Sequence, residues 1–242
     1  MNEPTPKSST TNFFGRRVRG KSLYTLLKGS SWNEASKQAI ALGGELAVVN
    51  DKAENDFIFS SYSDSYKQES PALWINLTDQ KQEGHWTDAS GKELPYLNWK
   101  PGEPNSAFRY REGKFISNED FGALELTGSG QWLDASQDFA DTPEKPHGIA
   151  EFTLKTQFDI DKTPHEGGDP FSTSVAINAG NEQVLSEGLS IYWRLNGITQ
   201  NDLATGTING HSIIKNGRFK LIHSLAIDPD YNESINIEIF SD

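Results

Sequence analysis

The hydrophobic repeat changes once along this chain, close to Thr156, and that change constrains the fold more than any single motif does. Upstream, Trp32, Ala35, Ala39 and Leu42 recur at helical spacing among short apolar runs and one long Gly- and Pro-rich stretch. Downstream, apolar residues alternate: Ile191/Trp193/Leu195, then Phe219/Leu221/His223/Leu225/Ile227, then Ile235/Ile237/Ile239. Helical spacing gathers side chains on one face of a helix, and alternation gathers them on one face of a strand. No single layer satisfies both. The pattern predicts an α+β domain over residues 21–154 and an all-β sandwich over 155–242.

In the first unit, Leu23, Tyr24, Leu26 and Leu27 predict a strand that Gly29, Ser30 and Ser31 end. Ser31 with Glu34 has the spacing of a capping box for a helix from Trp32, which Gly43-Gly44 stops. Residues 46–49 predict a short strand. Asp51 then starts a second helix with Ala53, Phe57 and Ile58 on its buried face. Residues 73–77, 121–126, 131–133 and 148–154 read as further strands. In the second unit Asn196-Gly197, Asn209-Gly210 and Asn216-Gly217 are expected turns. The final strand is expected to run up to Ser241, its edge uncovered. Residues 1–20 show no periodicity and are expected to form a flexible leader. No apolar segment follows Arg16, Arg17 and Arg19, so no secretory signal is recognisable there.

Composition narrows the chemistry. With 34 acidic against 22 basic residues the net charge is -12, which repels nucleic acid and anionic membranes and suits hard cations such as calcium. No run approaches the roughly 20 apolar residues of a membrane span. The absence of cysteine removes thiolate metal sites, thiol nucleophiles and disulfides together. No G-x-S-x-G, H-E-x-x-H, phosphate-loop or dinucleotide pattern occurs, so an enzyme is not expected.

A series of short stretches resembles the C-type lectin-like family across residues 21–154. They are Trp32-Asn33-Glu34-Ala35, Gly43-Gly44-Glu45-Leu46-Ala47, Glu54-Asn55 and Leu73-Trp74-Ile75-Asn76-Leu77, close to the family's WIGL strand. Glu83-Gly84-His85-Trp86, Asn98-Trp99, Glu103-Pro104-Asn105, Trp132-Leu133-Asp134 and Gly148-Ile149-Ala150-Glu151-Phe152 follow in order. Phe121, Gln137 and Ala150 stand where many animal members have disulfide cysteines, so the resemblance is to cysteine-free bacterial members. Glu166-Gly167, Asn201-Asp202, Asp228, Asp230 and Glu233 give the second unit a looser resemblance to Calx-β domains. In that family a further strand usually follows, so this copy is expected to lack its last one.

The resemblance implies a calcium-dependent sugar site. Its residues here are Glu103, Asn105, Glu119 and Asp134, with a cis Glu103-Pro104 bond turning the first two towards one cation. Two adjacent sugar hydroxyls would complete the calcium shell, and the Glu-Pro-Asn order goes with mannose, glucose, fucose or N-acetylglucosamine types. Leu133 stands where the family places an Asn and offers no oxygen. Asn118, Glu112, Glu125 or water are the candidate substitutes. Asp79, Glu83 and Asp120 match a second, structural calcium site, with Ser106 where a further acidic ligand often sits. Asp202, Asp228, Asp230 and Glu233 are weaker candidates for calcium at a loop end of the second unit.

The loop from Asn105 to Glu119 is longer than in typical members and contains Phe108, Arg109, Tyr110 and Arg111, either an added sugar-contact wall or a solvated insertion. Trp32, Trp74, Trp86, Trp99 and Trp132 read as framework, and His223 as packed. Together these readings predict a sugar-binding adhesin fragment, outside the cell or on its surface, with glycans or glycoproteins as partners. The rival is a protein- or surface-binding module on the same fold, with calcium structural or absent.

Overall fold

The structure is a computed structural model and describes residues 13–106, 109–111, 114–137, 139, 144–161, 165–181, 184–185, 189–214, 216–227 and 235–240. The strands are β1 (Phe13–Arg19), β2 (Ser22–Leu27), β3 (Glu45–Leu46), β4 (Ala72–Thr78), β5 (Arg109–Arg111), β6 (Lys114–Ser117), β7 (Phe121–Glu125) and β8 (Trp132–Ala135). Then follow β9 (His147–Thr153), β10 (Lys155–Ile160), β11 (Phe171–Asn178), β12 (Ser190–Asn196), β13 (Leu203–Thr205), β14 (Asn209–Ile213), β15 (Arg218–Leu225) and β16 (Asn236–Phe240). The helices are α1 (Trp32–Ala41) and α2 (Lys52–Tyr66). Packing divides the chain into two units. One is dominated by Leu46–Ala150 with Thr25–Ala39, the other by Glu151–Asp242 with Arg16–Tyr24 and Ile40–Glu45.

The larger sheet has the order β1-β2-β9-β4-β7-β8, with β3 beside β9. Strand β4 runs parallel to β9 and antiparallel to β7, and all seven of its residues are buried. Ser31 caps α1 by accepting from the Glu34 amide (3.3 Å), and Asp51 caps α2 by accepting from the Glu54 amide (2.7 Å). Phe121, at an expected cysteine position, instead stacks on Trp32 at 4.8 Å, and Ala150 is fully buried, so packing fills the place of the staples.

Three expectations change here. Residues 13–19, expected within a flexible leader, form β1. Val18 is buried and Thr25 Oγ1 donates to Phe14 O (2.7 Å), so pairing with β2 supplies what local periodicity lacks. The rest of the expected leader, residues 1–12, lies outside the described residues. Of residues 46–49 only Leu46 is in a strand. Ala47 donates to Ile149 O (2.8 Å) and accepts from Asn76 N (2.9 Å), burying its apolar neighbours without continuing a ladder. The buried face of α2 is Glu54, Asn55, Ile58, Tyr62 and Ser63, while Ala53 is exposed and Phe57 half-buried. Polar groups occupy that face because they are bonded: Glu54 accepts from Asn50 N (2.8 Å), and Asn55 holds Trp132 and Gly130.

The second unit has a four-stranded sheet, β10-β11-β15-β13, and a three-stranded sheet, β14-β12-β16. Trp193 of β12 meets His223 of β15 edge-on at 5.9 Å, and both are buried. Asn216 (φ 51°) and Gly217 (φ 68°) make the expected turn between β14 and β15. Asn209-Gly210 does not turn. It lies inside β14, where a Cβ on Gly210 would come within 2.8 Å of the Trp193 ring, so that glycine makes room for an indole. Ile227, expected on the buried face of its strand, lies beyond the end of β15 and is 82% exposed.

Candidate functional site

Strand β8 carries Asp134 opposite Gly122 of β7. Its position is fixed by Trp132, whose buried indole N–H donates to Asn55 Oδ1 (2.7 Å) while Asn55 Nδ2 donates to Gly130 O (3.0 Å). The loop carrying Glu103 is tied to the same tryptophan. Trp132 N donates to Asn98 O (2.7 Å), Lys100 N donates to Trp132 O (2.8 Å), and the half-buried Trp99 ring meets Trp86 at 4.7 Å and Trp132 at 6.0 Å. The aromatic framework therefore sets the height of the loop above β8.

The Glu103-Pro104 peptide is cis. Beyond it the chain turns back on Asp134: Asn105 N donates to Oδ1 (3.1 Å) and Ser106 N, at φ 47°, donates to Oδ2 (2.7 Å). Asn105 Nδ2 donates to Glu103 Oε2 at 2.5 Å. Glu119 and Asp134 are buried, Glu103 is partly exposed and Asn105 is exposed. Burial drives the Glu103 carboxyl up to about 7. A hydrogen bond to Asp134 and the charges of Asp134 and Glu119 push the same way, against the Asn105 amide. The four residues expected from the sequence thus stand together, and their carboxylates repel one another.

A second cluster adjoins the first. Asp79 is buried, accepts from Gly84 N through Oδ2 (2.8 Å), and is raised to about 6 by burial, with Glu83 and Asp120 adding to the rise. Asn118 Nδ2 donates to Glu83 Oε2 (3.1 Å) and to Asp120 Oδ1. Ser106 hydrogen-bonds Glu83 and, with Asn118, holds that carboxyl below the usual range. Asp120 is raised, mainly by burial. Asp79 Oδ1 and Asn118 Oδ1 are buried with no hydrogen-bond partner. Among the described residues no three His, Asp or Glu side chains already converge as a metal cluster. Amide donors sit between the carboxylates instead. The atoms that could ligate a metal are all oxygens, and two of them, Asp79 Oδ1 and Asn118 Oδ1, lack hydrogen-bond partners, which fits a hard cation and not zinc.

Other candidates fall elsewhere. Glu125 pairs with Lys100 (3.1 Å) and accepts from Thr127, so it does not substitute at the site. Asn118 joins the second cluster and not the first. Leu133, half-buried on β8 between Trp132 and Asp134, leaves its position without an oxygen. Asp202 accepts from Thr199 N (2.6 Å) and closes a capping box, a structural task. Glu112, Phe108, Asp228, Asp230 and Glu233 lie outside the described residues. Sequence reasoning missed Ser106 as the link between the clusters, bonded to Asp134 through its amide and to Glu83 through its side chain. Its place directly after Asn105 was the available signal.

The model of the lectin C-type domain matches residues 28–118 of this chain. Asp79, Glu83, Glu103 and Asn105 fall inside that match, and Glu119, Asp120 and Asp134 beyond it. Human tetranectin is 28% identical over 120 residues, which are 50% of this chain and 56% of the relative. The mouse low affinity immunoglobulin epsilon Fc receptor is 34% identical over 113 residues, 46% of this chain and 29% of the receptor. The chain thus spans about half the length of tetranectin and less of the receptor. Among solved structures, the mouse scavenger receptor C-type lectin carbohydrate-recognition domain is 25% identical with a TM-score of 0.46, covering 57% of this chain and 95% of that one. The names of these relatives describe no enzyme. No described helix is long and apolar enough to cross a membrane.

Proposed function

We propose that this chain binds sugar in a calcium-dependent manner through Glu103, Asn105, Glu119 and Asp134. The observation that carries the reading is the cis Glu103-Pro104 turn, which sets Glu103 against Asn105 and folds Asn105 onto Asp134, with Glu103 raised to about 7 by burial and by the charges of Asp134 and Glu119. Calcium there would neutralise the mutual repulsion and offer open coordination positions to two adjacent sugar hydroxyls. Glu103 would accept from one hydroxyl and Asn105 Nδ2 would donate to its neighbour. The order Glu-Pro-Asn favours mannose-, glucose- or fucose-type glycans. Asp79, Glu83 and Asp120, with Asn118, would hold a second ion that shapes the loops. Residues 155–242 serve as a Calx-β-like β-sandwich spacer of an extracellular or cell-surface adhesin of bacterial, cysteine-free type.

A glycan array with the whole chain, in millimolar calcium and in chelator, tests this. Chelator-sensitive binding to mannose- or fucose-type glycans that Asn105→Asp weakens is the expected result. A folded sample that binds no glycan in either condition overturns it.

A second reading has its own support. Leu133 removes a ligand oxygen, and β5 and β6 insert an antiparallel hairpin between Asn105 and Glu119. Both suit a protein-binding module whose calcium is structural. Chelator would then lower the melting temperature, and glycan binding would be absent in both conditions.

A further inference from the structure

His147 opens β9 and is 7% exposed, and both of its ring nitrogens are buried without a hydrogen-bond partner among the described residues. Its backbone is pinned. His147 N donates to the buried Ser70 Oγ (2.8 Å), which donates in turn to Ala72 O (2.6 Å). Gly29 lies against the ring on one side, where a Cβ would come within 3.3 Å of Nδ1 and 2.7 Å of Lys145 O. On another side Phe14 of β1 meets the ring edge-on at 5.0 Å, and Phe14 itself leans on Tyr66 of α2 at 5.4 Å. Phe14 is thus a cover that the start of β1 places over an unpaired imidazole.

The charges that face the ring are Glu69, just after α2, and Lys28, just after β2; Phe14 brings none. Glu69 and Lys28 act in opposite senses and both are exposed. Burial outweighs them and holds the imidazole below its ordinary 6.5. A neutral ring is tolerated under Phe14, but an imidazolium there would have two N–H donors and nothing to accept them.

We propose that His147 is an acid-operated latch on the Phe14 end of β1. Neutral, the imidazole packs under Phe14; protonated, it reaches water by lifting Phe14 while the strands behind it stay paired. Opening has to break the pairing of that end with β2 and the bond from Thr25 Oγ1 to Phe14 O (2.7 Å), which is far less than global unfolding. The open state holds the His147 proton more tightly than the closed one. Closure is therefore fully favoured above about 6.5 and weakens as pH falls. A hydrated imidazole is almost wholly protonated at about pH 5, so opening gains up to about thirtyfold there. None of this depends on sugar binding.

Hydrogen–deuterium exchange of the whole chain, in chelator so that calcium release plays no part, reads the opening. After correction for intrinsic exchange, protection of residues 13–19 should fall at least about fivefold from about pH 7.5 to about pH 5, while residues 72–78 of β4 keep theirs. His147→Gln, which cannot take the proton, should hold the protection of residues 13–19 within about twofold over the same range. The parent supplies a check that needs no variant: the His147 ring signals, followed by nuclear magnetic resonance, should titrate below the ordinary 6.5. Unchanged protection of residues 13–19 in acid, an equal loss in β4, or the same pH dependence in His147→Gln overturns the proposal. So does a His147 ring that titrates at or above its ordinary value.

Discussion

Replacing Glu103 by Gln should stabilise the calcium-free protein and destabilise the calcium-loaded one. The folded state holds the Glu103 proton more tightly than the unfolded chain does, about 7 against an ordinary 4.5. Its contribution to stability is therefore complete below about 4.5 and is lost as pH rises through 7, because ionisation then sets it against Asp134 and Glu119. At about 1.4 kcal/mol per pH unit the difference between about 7 and 4.5 is on the order of 3 kcal/mol. Solvent screening of a partly exposed carboxyl reduces this to about 1–2 kcal/mol. Gln keeps the geometry of the protonated acid and can still accept from Asn105. At pH 8 in chelator, Glu103→Gln should raise the melting temperature of the lectin-like unit by about 3–6 °C. At pH 4 the two proteins should melt together, Glu103 being protonated. In millimolar calcium at pH 8 the order should reverse, because the variant has lost a charged ligand. Differential scanning calorimetry with and without calcium reads all three conditions. A variant that melts below the parent at pH 8 in chelator would refute the clustered-carboxylate reasoning. One that keeps its calcium-induced rise would refute Glu103 as a ligand.

Three further outcomes are expected. Leu133→Asn restores an oxygen beside Asp134, and calorimetric titration should show calcium affinity rising about tenfold or more, or about 1.4 kcal/mol; an unchanged affinity would mean the site does not use that position. Trp132→Phe leaves Asn55 Oδ1 buried without its donor and opens a small void, so urea denaturation should show a loss of about 2–4 kcal/mol. Gly122→Ala would drive a Cβ to within 2.7 Å of Leu77, and the same assay should show about 1–3 kcal/mol lost, with Asp134 displaced and calcium binding weakened alongside.

Much of this protein was legible because local chemistry decided it. Helices open at Trp32 and Lys52, directly after Ser31 and Asp51, and Ser31 accepts from the expected Glu34 amide while Asp51 accepts from that of Glu54. The alternation after Thr156 reappears as β12, β15 and β16, since a period of two has one structural solution. Less legible was anything that depends on a distant partner. Residues 13–19 have little pattern of their own and become β1 because β2 offers an edge. Gly210 resembles a turn residue until Trp193 lies across it.

The candidate site divides along the same line. Glu103, Asn105, Glu119 and Asp134 were implied by the resemblance to the C-type lectin-like family, which many short stretches carry together; no one stretch pointed to them by itself. The proton affinity of Glu103, the bond from Ser106 to both clusters and the diversion of Glu125 to Lys100 were set only by tertiary structure. A side chain's identity determines which ligands it can hold. Burial and the charges brought within a few ångströms determine its protonation and its partner, and those exist only once the chain has folded.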